Sequence, residues 1–157
     1  MIPADWTPEP FEADDGTVPY ERFIEALSDF QFVAIDAAVV RVLAQRGLDL
    51  VRTEWLKALG GGLYEFRVRH TEVEIVRMFG GAAPAGAGPP ERVLVRVFVH
   101  FHGAKIVLLL GGYDKGNDPM PRRQQREIAE ARRLLGQFKE RQRRRRPGKA
   151  SGKGQRG

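Results

Sequence analysis

The chain has 157 residues, of which 42% are hydrophobic, 29% are charged and none is cysteine. This length predicts one domain with a sizeable core, and the hydrophobic content is too high for an intrinsically disordered protein. The lack of cysteine excludes disulfides, thiolate metal sites and a cysteine nucleophile. The longest apolar run is five residues, 106–110, whereas a membrane-spanning helix needs roughly 20.

The formal net charge of +6 is unevenly distributed along the chain. Residues 1–30 carry eight acidic side chains and one basic side chain, whereas residues 139–157 carry nine basic side chains and one acidic side chain. Residues 1–15 contain no Lys or Arg, which disfavours a secretory signal or a transit peptide and predicts a cytoplasmic protein. Because the excess positive charge lies mainly in the tail, the basic pI is weak evidence that the fold itself binds nucleic acid.

The first third of the chain predicts an edge strand and then a helical hairpin over residues 19–46. Pro8 and Pro10 restrict any strand over residues 6–12 to the edge of a sheet. Ser28 and Gln31 have the spacing of a capping box at the start of the second helix, and Gly47 is predicted to end it. The apolar residues on one face of that helix are Phe32, Ile35, Val39, Val42 and Leu43.

From residue 63 to residue 70 the hydrophobic period becomes two, which predicts a strand with one apolar face. The charged residues on its opposite face are Glu65, Arg67 and Arg69. Residues 73–79 are predicted to form a second strand. Residues 80–90 have the Gly, Ala and Pro composition of a flexible loop.

Residues 92–102 show the strictest alternation in the chain. Their valines and Phe101 share one face, so we expect these side chains to be buried and Arg92 and Arg96 to be more exposed. Residues 105–110 are apolar on both faces, which predicts a central or doubly covered strand ended by the following two glycines.

A last helix is predicted from Pro121 to about Glu140, with a disordered Arg/Lys/Gly-rich tail over residues 141–157. The apolar stripe of this helix consists of Ile128, Ala131, Leu135 and Phe138. Strands grouped in a meander, with helices grouped elsewhere, predict an α+β domain over residues 1–140. We expect a small twisted antiparallel sheet with an N-terminal helical hairpin and a C-terminal helix, whose arginine- and histidine-bearing face is open.

Three blocks of the sequence resemble the RelE/HigB superfamily of toxins from type II toxin–antitoxin systems, specifically its phage-derived HigB-like branch. The blocks are LGGGLYEFRVR at residues 59–69, RVFVHFHGAKIVLLLGGYDKG at residues 96–116 and PRRQQREIAEARRLL at residues 121–135. Two features depart from the family pattern: the connection after residue 73 is longer than usual, and Met120 stands where relatives often have a helix-capping Ser or Thr.

This resemblance covers about residues 5–140 and implies a RelE-like fold. It also implies a ribosome-dependent mRNA endonuclease, or mRNA interferase, which inhibits translation and works without a cofactor. The implied partners are the ribosome with its mRNA and a cognate antitoxin, often of helix-turn-helix type, that forms a hetero-oligomer with the toxin. No membrane partner is expected.

RNA cleavage without a metal uses the neighbouring 2′-OH as nucleophile, and it needs a proton acceptor, a proton donor and cations for the charge on phosphorus. With no cysteine and no carboxylate pair at an obvious spacing, these roles fall to His, Arg, Lys and Tyr. The family's basic surface maps onto four of the candidate catalytic residues, and a histidine is added because it titrates near neutrality. The candidate catalytic residues are Arg67, Arg96, Tyr113, Lys115 and His102. The candidate RNA-binding residues are Arg69, His100, Lys105, Arg122 and Arg123.

No metal site is predicted, because three histidines without suitably spaced carboxylates do not make one. Each candidate residue also has a purely structural explanation, such as a solvated arginine on an open sheet face or a histidine beside a turn. Two rival functions remain open. One is a non-catalytic nucleic-acid-binding module whose Arg-rich tail supplies salt-sensitive affinity. The other is a phage or mobile-element protein that binds a host protein.

Overall fold

A computed structural model describes residues 5–79 and 93–145. These residues form one five-stranded sheet in the order β1-β5-β4-β3-β2, with helices on both faces. The strands are Thr7–Pro10 (β1), Leu56–Gly60 (β2), Leu63–Val68 (β3), Val95–His102 (β4) and Ile106–Asp114 (β5). The helices are Pro19–Glu25 (α1), Asp29–Ala38 (α2), Ala44–Arg46 (α3), Glu72–Phe79 (α4) and Pro121–Arg144 (α5). A π-helical segment, Val39–Leu43, joins α2 to α3, and a 3-10 helix, Gly47–Arg52, follows α3.

The α+β class and the C-terminal helix agree with the prediction, but the sheet is mixed and not wholly antiparallel. Strands β2 to β5 pair antiparallel with their neighbours, whereas β1 pairs parallel with β5. As its prolines predict, β1 is an edge strand. The Thr7 N–H donates to the Lys105 carbonyl and the Phe11 N–H donates to the Leu109 carbonyl, so Pro8 and Pro10 occupy the alternate positions of the ladder.

The predicted helical hairpin is confirmed, including its capping box. The Ser28 hydroxyl accepts a hydrogen bond from the Gln31 N–H, and the Gln31 side chain accepts one from the Ser28 N–H. The predicted apolar face is buried except for Phe32, which is 42% exposed. Gly47 follows α3 with a φ of 47° and lies so close to Trp6 that a Cβ there would overlap the indole ring.

The predicted strand over residues 73–79 is wrong, because this segment is helix α4. A capping box begins the helix: the Thr71 hydroxyl accepts from the Glu74 N–H at 3.2 Å, and the Glu74 carboxylate accepts from the Thr71 N–H at 2.8 Å. Ile75 and Val76 are buried, and Ile75 belongs to the core cluster that the N-terminal helices share with the sheet. A short apolar run is compatible with both the strand period of two and the helix period of 3.6. Here the capping box favours the helix.

The predicted open face of the sheet is also wrong. As predicted, Val95, Val97 and Val99 are buried, on the face covered by the N-terminal helices. The opposite face is covered by α5, whose apolar stripe packs against apolar side chains of β3, β4 and β5. Arg96 is consequently 3% exposed, contrary to the prediction that it is exposed. Phe98 lies on that face between Arg96 and the histidines, and its large apolar ring is the sequence signal that something covers it.

Strand β5 is covered on both faces as predicted, but it continues through the two glycines to Asp114. Opposite Phe98 and Val99, β5 contains one extra residue, as in a β-bulge. The two strands are paired on both sides of this point. The C-terminal helix extends to Arg144, past the expected end near Glu140.

The loop predicted over residues 80–90, Arg92 and residues 146–157 of the predicted tail lie outside the described residues. Within the described ranges, no helix has both the length and the apolar character needed to cross a bilayer.

Candidate functional site

The sheet aligns three of the predicted catalytic residues in one row across three strands. Arg67 on β3 lies opposite Arg96 on β4, and Arg96 lies opposite Tyr113 on β5. Residues directly opposite each other in antiparallel strands project from the same face, with their Cβ atoms about 5 Å apart. Lys115, immediately after β5, interacts electrostatically with both arginines. Four of the five candidate catalytic residues therefore lie together, on the face that α5 covers.

Glu65 lies at the centre of this group, with no part of its side chain exposed. Its Oε1 accepts a hydrogen bond from Arg67 Nε at 3.0 Å and is 3.8 Å from Arg96 Nε. Its Oε2 accepts from Gln124 Nε2 of α5 at 2.9 Å. A buried carboxylate is costly unless it is paired, and here two guanidiniums and an amide pair it. One carboxylate shared by two guanidiniums leaves a net positive charge. We call Glu65, Arg67, Arg96, Tyr113 and Lys115 the charged cluster.

Sequence reasoning placed Glu65 on the arginine-bearing face of β3 but did not include it among the site residues. The available signal was an acidic side chain two residues before Arg67, on the same strand face. Once that face is covered, a cation must be close to the carboxylate.

Arg96 and Tyr113 are buried, with 3% and 2% of their surfaces exposed. Among the described residues, Arg96 Nε, Arg96 Nη1 and the Tyr113 hydroxyl have no hydrogen-bond partner. Burial raises the pKa of Tyr113, and the negative charge of Glu65 raises it further, so the phenol keeps its proton at neutral pH. Burial also lowers the pKa of Arg96, although a guanidinium remains charged at physiological pH. Both residues thus hold unused hydrogen-bond donors beneath α5.

Lys115 is partly buried at the edge of the charged cluster. Burial lowers the pKa of its amine, and the positive charge of Arg96 lowers it further. At a given pH, a larger fraction of Lys115 is therefore deprotonated than of a solvated lysine. Among the basic groups of the charged cluster, Lys115 is the one best suited to accept and release a proton.

The first turns of α5 close over the charged cluster. The Arg123 guanidinium is centred 5.2 Å from the Tyr113 ring centroid, and its Nε donates to Glu127 at 2.7 Å. Its Nη1 is 3.5 Å from an Asp118 carboxylate oxygen. These hydrogen bonds raise the pKa of Arg123. Arg122, the neighbouring RNA-binding candidate, is exposed. Arg123 is thus occupied by protein carboxylates, whereas Arg122 faces solvent.

The other candidates divide between the two ends of β4. Arg69 is exposed next to Arg67, 3.8 Å from a carboxylate oxygen of Glu54. His102 follows Arg96 by six residues on the same strand, which is about 20 Å at ~3.3 Å per residue. The structure therefore does not bring His102 to the other catalytic candidates. Lys105 lies in the turn beyond it, 4.6 Å from the centroid of the Trp6 ring.

His100 and His102 border a separate cleft of about 660 Å³ between β4 and the second half of α5. Their rings are inclined by only 10°, with centroids 6.0 Å apart. The Phe138 ring packs against both, at centroid distances of 5.7 Å and 4.6 Å. We call this space the histidine cleft. Its lining includes His100, His102, Gly136, Phe138, Lys139 and Arg143.

In the two described ranges, no three His, Asp or Glu side chains are grouped so that they could hold a metal ion. No protein-family model, curated protein or solved structure matches this chain. The RelE/HigB resemblance therefore stays a hypothesis that rests on the three sequence blocks, and the function has to be argued from the charged cluster.

Proposed function

We propose that this protein is a toxin of the RelE/HigB type, a ribosome-dependent mRNA endonuclease that cleaves RNA at the charged cluster. The observation that supports this most is the convergence of Arg67, Arg96, Tyr113 and Lys115 around one buried carboxylate. The family resemblance implies these four residues as the site, and they come from separate segments that only the fold brings together.

The cluster supplies the groups that metal-independent cleavage needs. In the proposed reaction the 2′-oxygen attacks phosphorus, its proton passes to the Lys115 amine, and the bond from phosphorus to the 5′-oxygen breaks. Arg67 and Arg96 stabilise the negative charge that develops on the phosphate oxygens. The Tyr113 hydroxyl, which keeps its proton at neutral pH, protonates the leaving 5′-oxygen. The products are a 2′,3′-cyclic phosphate and a 5′-hydroxyl.

Substrate access to this site requires a movement of α5. Arg67 and Lys115 are partly exposed, whereas Arg96 and Tyr113 are buried. Gln124 binds Glu65, and Arg123 stacks on Tyr113, so the first turns of α5 must shift before RNA touches either buried group. In this proposal the ribosome presents the mRNA, and a cognate helix-turn-helix antitoxin neutralises the toxin in a hetero-oligomer.

The burial of Arg96 and Tyr113 favours a second candidate function, a basic RNA-binding protein without cleavage activity. Such a protein would use Arg67, Arg69 and Arg122 as phosphate contacts and would keep Arg96 as a structural partner of Glu65. Its binding would weaken uniformly with salt and show little dependence on RNA sequence.

Single-turnover cleavage of mRNA on programmed ribosomes separates the two functions. We expect Arg67→Ala and Lys115→Ala each to lower the rate at saturating protein by roughly 100-fold, because each removes a group that acts on the reacting atoms. Arg133→Ala is the matched control, since Arg133 is exposed on α5 and pairs with Glu130 at 2.6 Å. A wild-type protein that binds RNA but leaves the mRNA intact would establish the binding function instead.

A further inference from the structure

The histidine cleft is separated from the charged cluster and has a different chemical character. His100 and His102 are four and six residues from Arg96 along β4, which corresponds to about 13 Å and 20 Å. The cleft's volume of about 660 Å³ falls within the range of small-molecule binding sites. Its walls are aromatic rings, and its rim carries basic side chains from α5.

Both imidazoles are uncharged at neutral pH. His100 Nδ1 lies 2.7 Å from the Gly62 carbonyl oxygen, and since a carbonyl only accepts, Nδ1 carries the proton. In the neutral ring, Nε2 is then a hydrogen-bond acceptor. Burial lowers the pKa of both imidazoles. The positive charge of Lys139 lowers the pKa of His100 further, and a proton on His100 would lower the pKa of His102. The cleft therefore offers polar aromatic surfaces without positive charge on the rings.

Gly136 leaves the mouth of the cleft open. It lies within α5, where glycine is less favourable than alanine. Packing does not require it, because a Cβ added there would meet no atom of the described residues within 4 Å. Gly136 shares a helical face with Lys139 and Arg143, at spacings of three and seven residues. This glycine weakens the helix and provides room beside two cations.

The rim supplies positive charge next to the rings. Lys139 Nζ donates to the Gly61 carbonyl at 2.7 Å, a contact that fixes the ammonium without neutralising it. Arg143 forms an ion pair with Glu140. Glu140 also pairs with Arg144, so the rim keeps a net positive charge, and within the described residues Lys139 has no carboxylate partner.

We propose that the histidine cleft binds an unstacked nucleobase of single-stranded RNA, with the adjoining phosphate at Lys139. Unstacked bases are recognised by stacking on His and Phe rings and by hydrogen bonds to their edges, and the unprotonated Nε2 of His100 can accept such a bond. This proposal rests on the proposed function in one respect: it takes from it that the ligand is RNA. The cleft then holds a nucleotide some distance along the strand from the bond that is cleaved.

NMR spectroscopy of the histidine ring nitrogens tests this in the full-length protein, with the four nucleoside 5′-monophosphates as probes and inorganic phosphate as the control ligand. We expect at least one nucleotide to shift the His100 and His102 resonances saturably, and phosphate alone to shift them little. His102→Ala and Gly136→Leu should each weaken nucleotide binding about tenfold. The first removes a ring on which the base stacks, and the second fills the mouth of the cleft. Arg133→Ala, an exposed position of α5 outside the cleft lining, should bind as the wild type does.

Absence of saturable shifts in the wild-type protein would overturn the proposal. This outcome does not depend on whether the variants fold. An equal response to phosphate would overturn it too, because the cleft would then be a simple anion site. Unchanged affinity in a folded Gly136→Leu protein would place the nucleotide elsewhere. If the protein cleaves mRNA but no nucleotide binds in the histidine cleft, only the proposal about the cleft is refuted. If nucleotides bind there but mRNA is not cleaved, the proposed endonuclease activity is refuted and the cleft remains a nucleotide-binding site.

Discussion

The charged cluster and the histidine cleft lie at opposite ends of β4, on one face of the sheet and against one helix, yet they are built in opposite ways. In the charged cluster, Arg67 and Arg96 form ion pairs with the buried Glu65, and α5 adds Gln124 as a further partner. In the histidine cleft, α5 contributes Gly136 and Phe138, which leave a space beside the imidazoles. Alternation along β4 decides which side chains share the face, and the residues of α5 decide which of them are covered.

The largest effect that separates the two regions is expected from Glu65→Ala. This substitution leaves Arg96 buried without a nearby carboxylate, so we expect the free energy of unfolding to fall by about 3–5 kcal/mol. Urea denaturation followed by circular dichroism measures it. Glu130→Ala, which breaks an exposed pair with Arg133, should change stability by at most about 0.5 kcal/mol. Equal small losses in both variants would mean that the charged cluster is not a buried ion-pair network.

The next effect distinguishes two arginines that sequence alone treats alike. Arg96→Ala should lower the free energy of unfolding by about 3 kcal/mol, because Arg96 is 3% exposed and faces the buried Glu65. Arg67→Ala should cost less, about 1.5 kcal/mol, because it removes one hydrogen bond to Glu65 and leaves Arg96 and Gln124 beside the carboxylate. Thermal and urea unfolding of the two variants check this difference, and a milder loss for Arg96→Ala than for Arg67→Ala would reverse the assignment. Loss of cleavage in Arg96→Ala therefore needs a folding control.

A smaller effect, of opposite sign, is expected at the cleft. Gly136→Ala should raise the free energy of unfolding by about 0.5–1 kcal/mol, because alanine favours the helix and the added methyl group meets open space. Gly112→Ala in β5 is the contrasting variant: its Cβ would lie 2.6 Å from the Arg96 carbonyl oxygen and 2.8 Å from the Phe23 ring. We expect that variant to lose about 2 kcal/mol. Destabilisation by Gly136→Ala would show that the helix needs a glycine for packing.

The smallest expected effect is a dependence of stability on pH that comes from the cleft. The pKa values of His100 and His102 lie below the ordinary 6.5 in the folded protein. As pH falls through 6.5, the unfolded chain takes up protons before the folded protein does, so the free energy of unfolding decreases. Urea midpoints at pH 7.5 and pH 5.5 should show this decrease, and the double variant His100→Gln/His102→Gln should show less of it. An identical decrease in both proteins would assign it to other groups.

Local signals in the sequence predicted local structure well. The capping box at Ser28, the proline-limited edge strand and the buried valines of β4 were all correctly predicted, because each depends on a few neighbouring residues. Helix α4 was missed because its short apolar run fits either period and the capping pair of Thr71 and Glu74 was not recognised. Strand β2 was missed because it shows no clear alternation before the glycine turn.

The site was harder to predict, because its burial depends on tertiary structure. The family resemblance implied Arg67, Arg96, Tyr113 and Lys115, and strand register brings them together. Phe98 indicates that the face is covered, but no local pattern identifies α5 as the element that covers it. This helix buries Arg96, which then needs a carboxylate partner such as Glu65. His102 shares that face with Arg96, but six residues of extended chain separate the two.

The two prolines of β1 limit how the sheet can associate with another chain. Thr7 and Phe11 direct their N–H groups to β5, so the alternate positions, Pro8 and Pro10, direct their backbone nitrogens outward. A proline nitrogen carries no hydrogen, whereas an incoming strand needs outward N–H donors to extend a ladder. The β1 edge thus lacks donors at two successive outward positions.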